Sequence, residues 1–358
     1  MKNISYLIDS KLPEKLPHFL KNTDTIFFDI ETTGFHRKHS SISIIGYVLI
    51  KGNSIVLGQI LLQSPIEEKE ALLTFKDIIS SGKLLVHYNG SSFDLPFLIA
   101  KCRFYGICPD FLEEKDSFDI YRNLLPFKKI FPKGMKQKSM EVYTGFQRTD
   151  KLSGAEVVTT YQNFIKTGAE EYKKEILLHN KEDLLGMFHV ADLLRLKHLS
   201  KANSIKISLS DDEQAKIDAR IKEPFSYNFI VEKEINGQSC LLSKKFDELQ
   251  LNLPIFHGEL YYFFPDFKNY YYLPSEDTAI HKSIGKFVDK EHRIQASQNN
   301  CYQKRTDRFL PFIKKDTNFP VFYDLEKKNR WIRIDDIVKD SSTLQQYFQD
   351  LVETIIMN

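Results

Sequence analysis

The chain has 358 residues, 42% of them hydrophobic and 27% charged, and a formal net charge of +2. This length favours two domains, and the balanced composition is typical of folded globular proteins and excludes a disordered chain. No apolar run approaches the roughly 20 residues of a membrane-spanning helix, and Asp9 interrupts the apolar patch near the N-terminus, so we expect neither a membrane partner nor a secretory signal. The sequence is therefore interpreted as that of a cytoplasmic protein.

The first third of the chain predicts a sheet built on a central strand. Residues 24–31 are rich in β-formers and alternate little, as in a strand that is covered on both faces. Residues 41–50 and 54–63 are β-branched runs, and residues 51–53 between them form a turn signal. Three consecutive antiparallel strands are therefore expected.

Helices are predicted to follow these strands. Residues 64–82 have helical apolar spacing, with Ser64 as the N-cap, Pro65 at the first position and Gly82 at the end. Residues 84–89 predict another short buried strand. Helical periodicity then returns in residues 92–106, 117–127, 153–168 and 169–199. The predicted order is β-β-β-α-β followed by helices, which is an α/β fold class.

The composition changes after Ser200. Residues 201–224 are polar and are interpreted as a linker, whereas residues 225–358 carry short β-like runs. The dipeptide Asn236-Gly237 predicts a hairpin turn. The many rings of residues 261–274 favour strands and cores, so most of them are expected to be buried. A second, smaller and strand-rich domain is predicted.

Two acids lie at the end of the predicted central strand. Asp29 and Glu31 are two residues apart and therefore point to the same face of a strand. Two carboxylates about 4 Å apart repel by roughly 4 kcal/mol at an effective dielectric constant of about 20, so a positive partner is needed. The hard oxygen donors, with no CxxC pair in the chain, favour Mg²⁺ or Mn²⁺ over zinc.

Three further polar residues could lie near these two acids in the fold. Asp94 starts a predicted helix directly after the fourth strand, and His179 and Asp183 are one helical turn apart. Four acids and one histidine could therefore meet at one point of the fold.

The segments DIETTG, YNGSSFDLPFL and HNKED resemble, in order and spacing, the three motifs of the DnaQ-like, or DEDD, 3′ to 5′ exonucleases. The segments SFDIYRNL and GFQRTDKLSGAEVVTTYQNF resemble the YprB-like branch of that superfamily. The resemblance covers about residues 23–198 and implies a ribonuclease H-like fold with a mixed sheet flanked by helices. Residues 1–200 would then form the exonuclease domain.

The resemblance also implies roles for individual residues. Asp29, Glu31, Asp94 and Asp183 would hold two metal ions, Mg²⁺ or Mn²⁺, and His179 would activate the attacking water. Nucleotides would be released one at a time from a 3′ end. In better-known members a histidine lies five residues before the last acid, or a tyrosine four before it, whereas His179 stands at the tyrosine spacing.

The expected partner is a nucleic acid with a free 3′ end, single-stranded. Residues 121–140 contain six lysines or arginines and no acid, which suits contacts with phosphates. Residues 281–315 hold nine basic residues against three acids, interleaved with Phe287, Tyr302 and Phe309, a pattern that suits a strand stacked on rings. The residues expected to bind substrate are Thr32, Asn89, Lys128, Lys129 and Lys136.

Two alternatives remain open at this point. The chain could be a non-catalytic module that binds nucleic acid or protein on the same fold, because a fold alone does not define an activity. It could also be a structure-selective endonuclease, which would keep the chemistry and change only the access of the substrate. Retention of all four acids argues against the first alternative.

Overall fold

The computed structural model describes residues 1–8, 16–52, 54–210, 213–314 and 319–357. Within it the chain separates into two units, Met1–Lys197 with Phe225–Tyr227 and His198–Pro224 with Asn228–Asn358. Each unit has its own sheets. Among the described residues, no helix combines the length and the apolar composition that crossing a membrane requires.

In the described part of the first unit, six strands form a mixed sheet. They are Lys2–Ile8 (β1), Thr25–Thr32 (β2), Ile42–Lys51 (β3), Ser54–Leu61 (β4), Leu84–His87 (β5) and Asp116–Asp119 (β6). Their order in the sheet is β1-β4-β3-β2-β5-β6. The pairs β1–β4, β4–β3 and β3–β2 are antiparallel, whereas β2–β5 and β5–β6 are parallel. The three antiparallel strands and the interior position of β2 are confirmed; Asn53 of the predicted turn lies outside the described residues.

Helices flank this sheet. They are Glu68–Ile78 (α1), Asp94–Phe104 (α2), Asp110–Glu113 (α3), Ile120–Leu124 (α4), Gln137–Thr144 (α5), Gly154–Thr167 (α6) and Glu170–Ala191 (α7). Short 3₁₀ helices cover His18–Leu20, Pro65–Glu67, Leu125–Ile130 and Asp192–His198. The Ser64 side chain accepts a hydrogen bond from the backbone N–H of Ile66, as predicted, but a 3₁₀ turn precedes α1, and α1 ends before Gly82.

Packing on both faces of β2 explains its continuous apolar sequence. Phe27 stacks on Phe188 of α7, with ring centroids 4.3 Å apart, and Phe28 points to the other face, where it meets Phe75 of α1 at 6.0 Å. All of these rings are buried. A strand sandwiched in this way has no solvent face on which polar residues would alternate. The acids at its end are therefore exceptions to an otherwise apolar strand.

Two strands of the first unit differ from the predictions. Residues 117–127 were expected to be helical, but their first residues belong to β6, which pairs in parallel with β5. β6 is a short edge strand with one buried residue, Asp119, so it carries no strand periodicity. Strand β1 was not predicted, because its partner β4 is distant in the sequence and no turn signal links the two.

The described strands of the second unit form three sheets. They are Ala202–Leu209 (β7), Gln214–Ile221 (β8), Phe229–Ile235 (β9), Gln238–Lys245 (β10), Glu248–Pro254 (β11), Phe256–Phe263 (β12), Tyr270–Leu273 (β13), Thr278–His281 (β14), Ile294–Gln295 (β15), Tyr302–Phe312 (β16), Val321–Tyr323 (β17) and Arg330–Arg333 (β18). The sheets are an antiparallel β7-β8-β11-β10-β9, a closed barrel β12-β16-β18-β17 and a small β14-β13-β15. Its helices are Lys282–Gly285 (α8), Ile334–Val338 (α9) and Ser341–Ile356 (α10), with 3₁₀ turns at Phe267–Asn269 and Lys290–His292. The predicted strand-rich region is confirmed.

The predicted hairpin is present, and the predicted linker is not. Asn236 and Gly237 have φ angles of 54° and 72° and join β9 to β10, as a two-residue turn of this type requires. Residues 201–224 instead contain β7 and β8, which pair with each other. The linker interpretation was wrong because polar residues on the exposed side of β8 conceal the alternation of buried residues such as Ile217 and Ile221; residues 211–212 lie outside the described part.

The aromatic predictions for this unit need correction as well. The rings of residues 261–274 are half-buried, because they contact one another and several of them pack at the margin of two small buried clusters, around Phe309 and around Cys301. Of the three rings expected to stack on a nucleic acid, Tyr302 and Phe309 are buried, with 6% and 0% exposure. Phe287 is 81% exposed and remains available for stacking.

Candidate active site

Three distant segments bring the predicted acids to one edge of the sheet. Asp29 and Glu31 lie towards the end of β2, and Asp94 is the first residue of α2, which follows the parallel neighbour β5. One carboxylate oxygen of Asp94 accepts a hydrogen bond from the backbone N–H of Ile30, 3.2 Å away. Asp94 therefore lies beside the strand segment that carries the other two acids.

Helix α7 completes the group. His179 Nε2 lies 3.5 Å from Glu31 Oε1 and 3.2 Å from Asp183 Oδ2. The next residue of the helix, Asn180, donates from Nδ2 to Asp29 Oδ2 at 2.9 Å. We call Asp29, Glu31, Asp94 and Asp183 the carboxylate cluster. The structure places these four acids and His179 together.

The electrostatics of the carboxylate cluster show an excess of negative charge. Burial raises the pKa of Asp29 well above its usual value, and the carboxylates of Asp183, Asp94 and Glu31 raise it further. Burial and then Asp183 and Asp94 do the same to the pKa of Glu31. The pKa of Asp94 is raised to about 7, chiefly by burial. The neighbouring protein groups therefore leave the ionised cluster short of positive charge.

The same residues fit a divalent cation. One ligand atom each from Glu31, His179 and Asp183 lies within 4.8 Å of the other two, which is close enough for a shared ion. Carboxylate oxygens are the donors that Mg²⁺ and Mn²⁺ prefer, and the imidazole nitrogen is acceptable to transition metals. A bound cation would also supply the positive charge that the cluster lacks.

Asn180 is part of the site although the sequence analysis did not single it out. Its side chain is fully buried, donates to Asp29 and accepts at Oδ1 from Gln59 Nε2, 2.9 Å away. Gly46 on β3 makes room for it, because a Cβ at position 46 would lie 2.2 Å from Asn180 Oδ1. The close approach of β3 to α7 therefore depends on a glycine, and it fixes the partner of Asp29.

We expect Gly46→Ala to displace Asn180 and to destabilise the protein by about 1–3 kcal/mol, the usual effect of overpacking a core. Urea unfolding measures the change. Gly154→Ala is the matched control, since a Cβ there meets nothing within 4 Å. If Gly46→Ala left the stability unchanged, the backbone would be shifting at little cost, and Asn180 would not be held in this way.

A loop between α5 and α6 adds two charged residues that the sequence analysis also missed. Arg148 donates to both oxygens of Glu141 and, through Nη2, to Asp183 Oδ1, each at 2.5 Å. Glu141 is buried, and the side chain of the half-buried Arg148 is only 9% exposed. Arg148 Nη1 makes no hydrogen bond with any described residue. Arg148 thus supplies part of the counter-charge of Asp183.

Asp150 from the same loop contacts the ring nitrogen of His179 that is not next to the carboxylate cluster. Its Oδ2 lies 2.8 Å from His179 Nδ1 and 3.0 Å from Lys138 Nζ, and its Oδ1 accepts from the backbone N–H of Leu152 at 2.9 Å. Burial alone would raise the pKa of Asp150, but the hydrogen bonds from Leu152 and Lys138 outweigh it and lower the pKa. Asp150 is therefore a carboxylate that stays ionised beside the imidazole.

A cavity of about 520 Å³ opens at the carboxylate cluster. It is lined by Asp29, Tyr88, Asn89, Tyr121, Lys128, Met135, Lys136, Gln137 and Asp183. Three of the five residues expected to bind substrate therefore lie on it: Asn89, Lys128 and Lys136. Asn89 has a positive φ of 59°, and its backbone N–H donates to Asp119 Oδ1, which fixes the turn after β5.

The other two residues expected to bind substrate lie elsewhere. Thr32 is 8% exposed and donates from Oγ1 to the carbonyl of Gly34, so it holds the turn after β2. Lys129 is exposed and is not among the described residues that line the cavity. The two neighbouring lysines, Lys128 and Lys129, thus face different surroundings.

A match to a protein family agrees with this fold. A model of the RNase_H superfamily matches residues 26–195, a range that contains every residue of the carboxylate cluster. The PolC-type DNA polymerase III of Ureaplasma parvum serovar 3 is 28% identical in an alignment of 132 residues that covers 30% of this chain and 9% of that protein. The chain therefore spans only a small part of that relative. The family B DNA polymerase from the hyperthermophilic archaeon Pyrobaculum calidifontis is similar with a TM-score of 0.40 and 11% identity, over 93% of this chain and 46% of that chain. The mixed sheet flanked by helices is an RNase H-like fold.

Proposed function

We propose that this chain is a divalent-metal-dependent nuclease that removes nucleotides from the 3′ end of single-stranded nucleic acid. The observation that carries the proposal is the meeting of four carboxylates and one histidine from three distant segments at one edge of an RNase H-like sheet. The similarity to a protein named as a DNA polymerase adds support for a nucleic-acid substrate. The acids, rather than the fold alone, support catalysis.

The chain's own residues have separate tasks in this proposal. Asp29, Glu31, Asp94 and Asp183 hold the cations, Mg²⁺ or Mn²⁺, in two sites as the DEDD resemblance implies. A divalent ion bound there lowers the pKa of water and stabilises charge on the leaving oxygen. The oxygen of water forms a bond to phosphorus, the bond from phosphorus to the 3′ oxygen breaks, and that oxygen leaves with the shortened strand.

His179 has two candidate tasks, and both use the same lone pair. It can accept the proton that the attacking water loses, since imidazole titrates near neutral pH. It can also donate Nε2 to a cation that Glu31 and Asp183 share. In either case Nε2 must face the carboxylate cluster and must carry no hydrogen. The position of Nε2 near Glu31 and Asp183 agrees with the required orientation.

Labelled single strands test the proposed function. With 5′-labelled strands and Mn²⁺ we expect a ladder of products, each shortened by one nucleotide, and a 3′-phosphate on the substrate should delay it. Internal cuts that ignore the 3′ block would instead favour the structure-selective endonuclease. Binding with no cleavage in Mg²⁺ or Mn²⁺ would favour the non-catalytic module. DNA and RNA strands of the same sequence, assayed side by side, identify the substrate.

The lysines of the cavity should contribute to substrate binding. We expect Lys128→Ala and Lys136→Ala each to weaken the binding of a single strand and to reduce the slope of log K against log salt by about 0.7, the contribution of one phosphate contact. Fluorescence anisotropy at several salt concentrations, with Ca²⁺ in place of Mg²⁺, measures both quantities. Lys129→Ala is the matched control with the smaller expected effect. A larger loss for Lys129 than for Lys128 would place the strand on another surface.

A further inference from the structure

The contact between Asp150 and His179 determines which ring nitrogen carries hydrogen. His179 Nδ1 lies 2.8 Å from Asp150 Oδ2, within hydrogen-bond distance. An ionised carboxylate can only accept a hydrogen bond, so the nitrogen that is hydrogen-bonded to it must donate; Nε2 lies near Asp183 and Glu31 but makes no hydrogen bond with either. In a neutral imidazole the hydrogen is then on Nδ1, and Nε2 keeps its lone pair.

That lone pair points to the carboxylate cluster. Nε2 lies 3.2 Å from Asp183 Oδ2 and 3.5 Å from Glu31 Oε1, and His179 is 4% exposed. The opposite tautomer would present an N–H to these carboxylates and leave no lone pair to accept a proton or to bind a cation. The nitrogen that the proposed function needs is therefore the one that Asp150 leaves free.

The surroundings of Asp150 fix its orientation. Its Oδ1 accepts from the backbone N–H of Leu152, and Lys138 donates to Oδ2. The loop that carries Asp150 is itself held on α7, because Glu182 accepts hydrogen bonds from the backbone N–H groups of Thr149 and Asp150 at 3.0 and 2.8 Å. Asp150 and His179 are thus anchored to the same helix, the first through Glu182 and the second directly.

We propose that Asp150 is a positioning residue that holds His179 in the Nδ1–H tautomer and so directs the Nε2 lone pair to Glu31 and Asp183. The expected effect on catalysis rests on the proposed function, whereas the assignment of the tautomer does not depend on it. Functional histidines often donate a hydrogen bond from one ring nitrogen to a carboxylate, because this bond determines whether the other ring nitrogen carries hydrogen.

Two substitutions at position 150 separate positioning from a structural role. In Asp150→Asn the fixed backbone N–H of Leu152 can only donate, so we expect it to keep the amide oxygen on its own side. Lys138, whose side chain is 43% exposed, then turns into solvent, and the NH₂ group faces His179. The NH₂ group then donates to Nδ1 and forces the hydrogen onto Nε2, the wrong tautomer. Asp150→Ala removes the partner without imposing a tautomer. If Asp150 only filled space, Asp150→Asn would be more active than Asp150→Ala, because asparagine keeps the shape of aspartate.

The test combines a spectroscopic and a kinetic measurement. Long-range ¹H–¹⁵N correlation of histidine-labelled protein, with the signal of residue 179 identified by its loss in His179→Gln, should show hydrogen on Nδ1 in the wild type and on Nε2 in Asp150→Asn. Activity should fall by about 10²–10⁴-fold in Asp150→Asn, the range for losing a positioned base, and by less in Asp150→Ala. Thermal unfolding checks that both variants are folded.

Two results would overturn the proposal: hydrogen on Nε2 in the wild type, or higher activity in Asp150→Asn than in Asp150→Ala. The wild-type spectrum decides the tautomer even if neither variant folds. If the wild type cleaves no nucleic acid at all, the proposed function fails, while the spectrum still tests the tautomer by itself. The two failures are therefore distinguishable.

Discussion

Asp29→Asn is expected to reduce nucleic-acid hydrolysis by at least about 10²–10³-fold, on the scale of removing one preorganised charged or polar group at a reacting centre. The carboxylate is replaced by an amide whose oxygen can still accept from Asn180, so the local hydrogen bond survives. The lost property is the negative charge that would hold a cation. The effect on activity should therefore come without loss of the fold.

The same variant should change the link between metal and stability. Burial and three neighbouring carboxylates raise the pKa of Asp29, so its ionised form destabilises the metal-free protein at neutral pH. We therefore expect the metal-free Asp29→Asn variant to be at least as stable as the wild type. Mg²⁺ or Mn²⁺ at about 100 times its Kd should stabilise the wild type by about 2.7 kcal/mol, and the variant by much less. Thermal unfolding with EDTA and with added metal measures this difference.

Asp116→Asn is the matched control for Asp29, because it makes the same change at an exposed position of the same sheet. It should leave both the activity and the response to metal unchanged. Full activity in the Asp29→Asn variant would remove the carboxylate cluster from the catalytic site. Lost activity with a normal metal response would instead indicate that Asp29 acts on the substrate rather than on a cation.

The residues of the site that could be predicted from the sequence are those on regular elements. Asp29 and Glu31 interrupt an apolar strand, and His179 and Asp183 are one turn apart on a helix, so local periodicity places each pair on one face. Asp94 follows a strand and starts a helix, a position that parallel sheets bring to the same edge. For these residues the local pattern and the tertiary position agree.

The residues that were missed lie in segments whose local sequence pattern does not indicate a tertiary position. Arg148 and Asp150 belong to a loop without periodicity, and their position depends on Glu182, a helix residue more than 30 positions later in the chain. Asn180 has a polar neighbour on either side, and nothing local shows that it will be fully buried between Asp29 and Gln59. One signal was present: Ser153 and Glu156 form a capping box that fixes where α6 begins and hence where the loop must end.

Arg148→Met is the second change for which we expect a large effect, a loss of about 3–5 kcal/mol in the free energy of unfolding. The methionine fills the space of the alkyl chain but removes the guanidinium that neutralises Glu141 and contacts Asp183. Glu141 is 1% exposed, and burial already raises its pKa despite the arginine. The variant leaves a buried carboxylate with Gln137 as its remaining side-chain donor among the described residues. Urea unfolding at pH 7 measures the loss.

A second substitution tests whether this loss comes from an uncompensated charge or from packing. Glu141→Gln added to Arg148→Met removes the unpaired carboxylate, and its amide oxygen can still accept from Gln137, so we expect the double variant to regain a substantial part of the stability. Arg103→Met is the matched control, because Arg103 pairs with Glu113 on the surface, where such pairs contribute only about 0–1 kcal/mol. Equal losses for Arg148→Met and Arg103→Met would contradict the expected cost of leaving Glu141 unpaired. No rescue by Glu141→Gln would assign the loss to packing of the loop against α7, since the charge would then be gone and the deficit would remain.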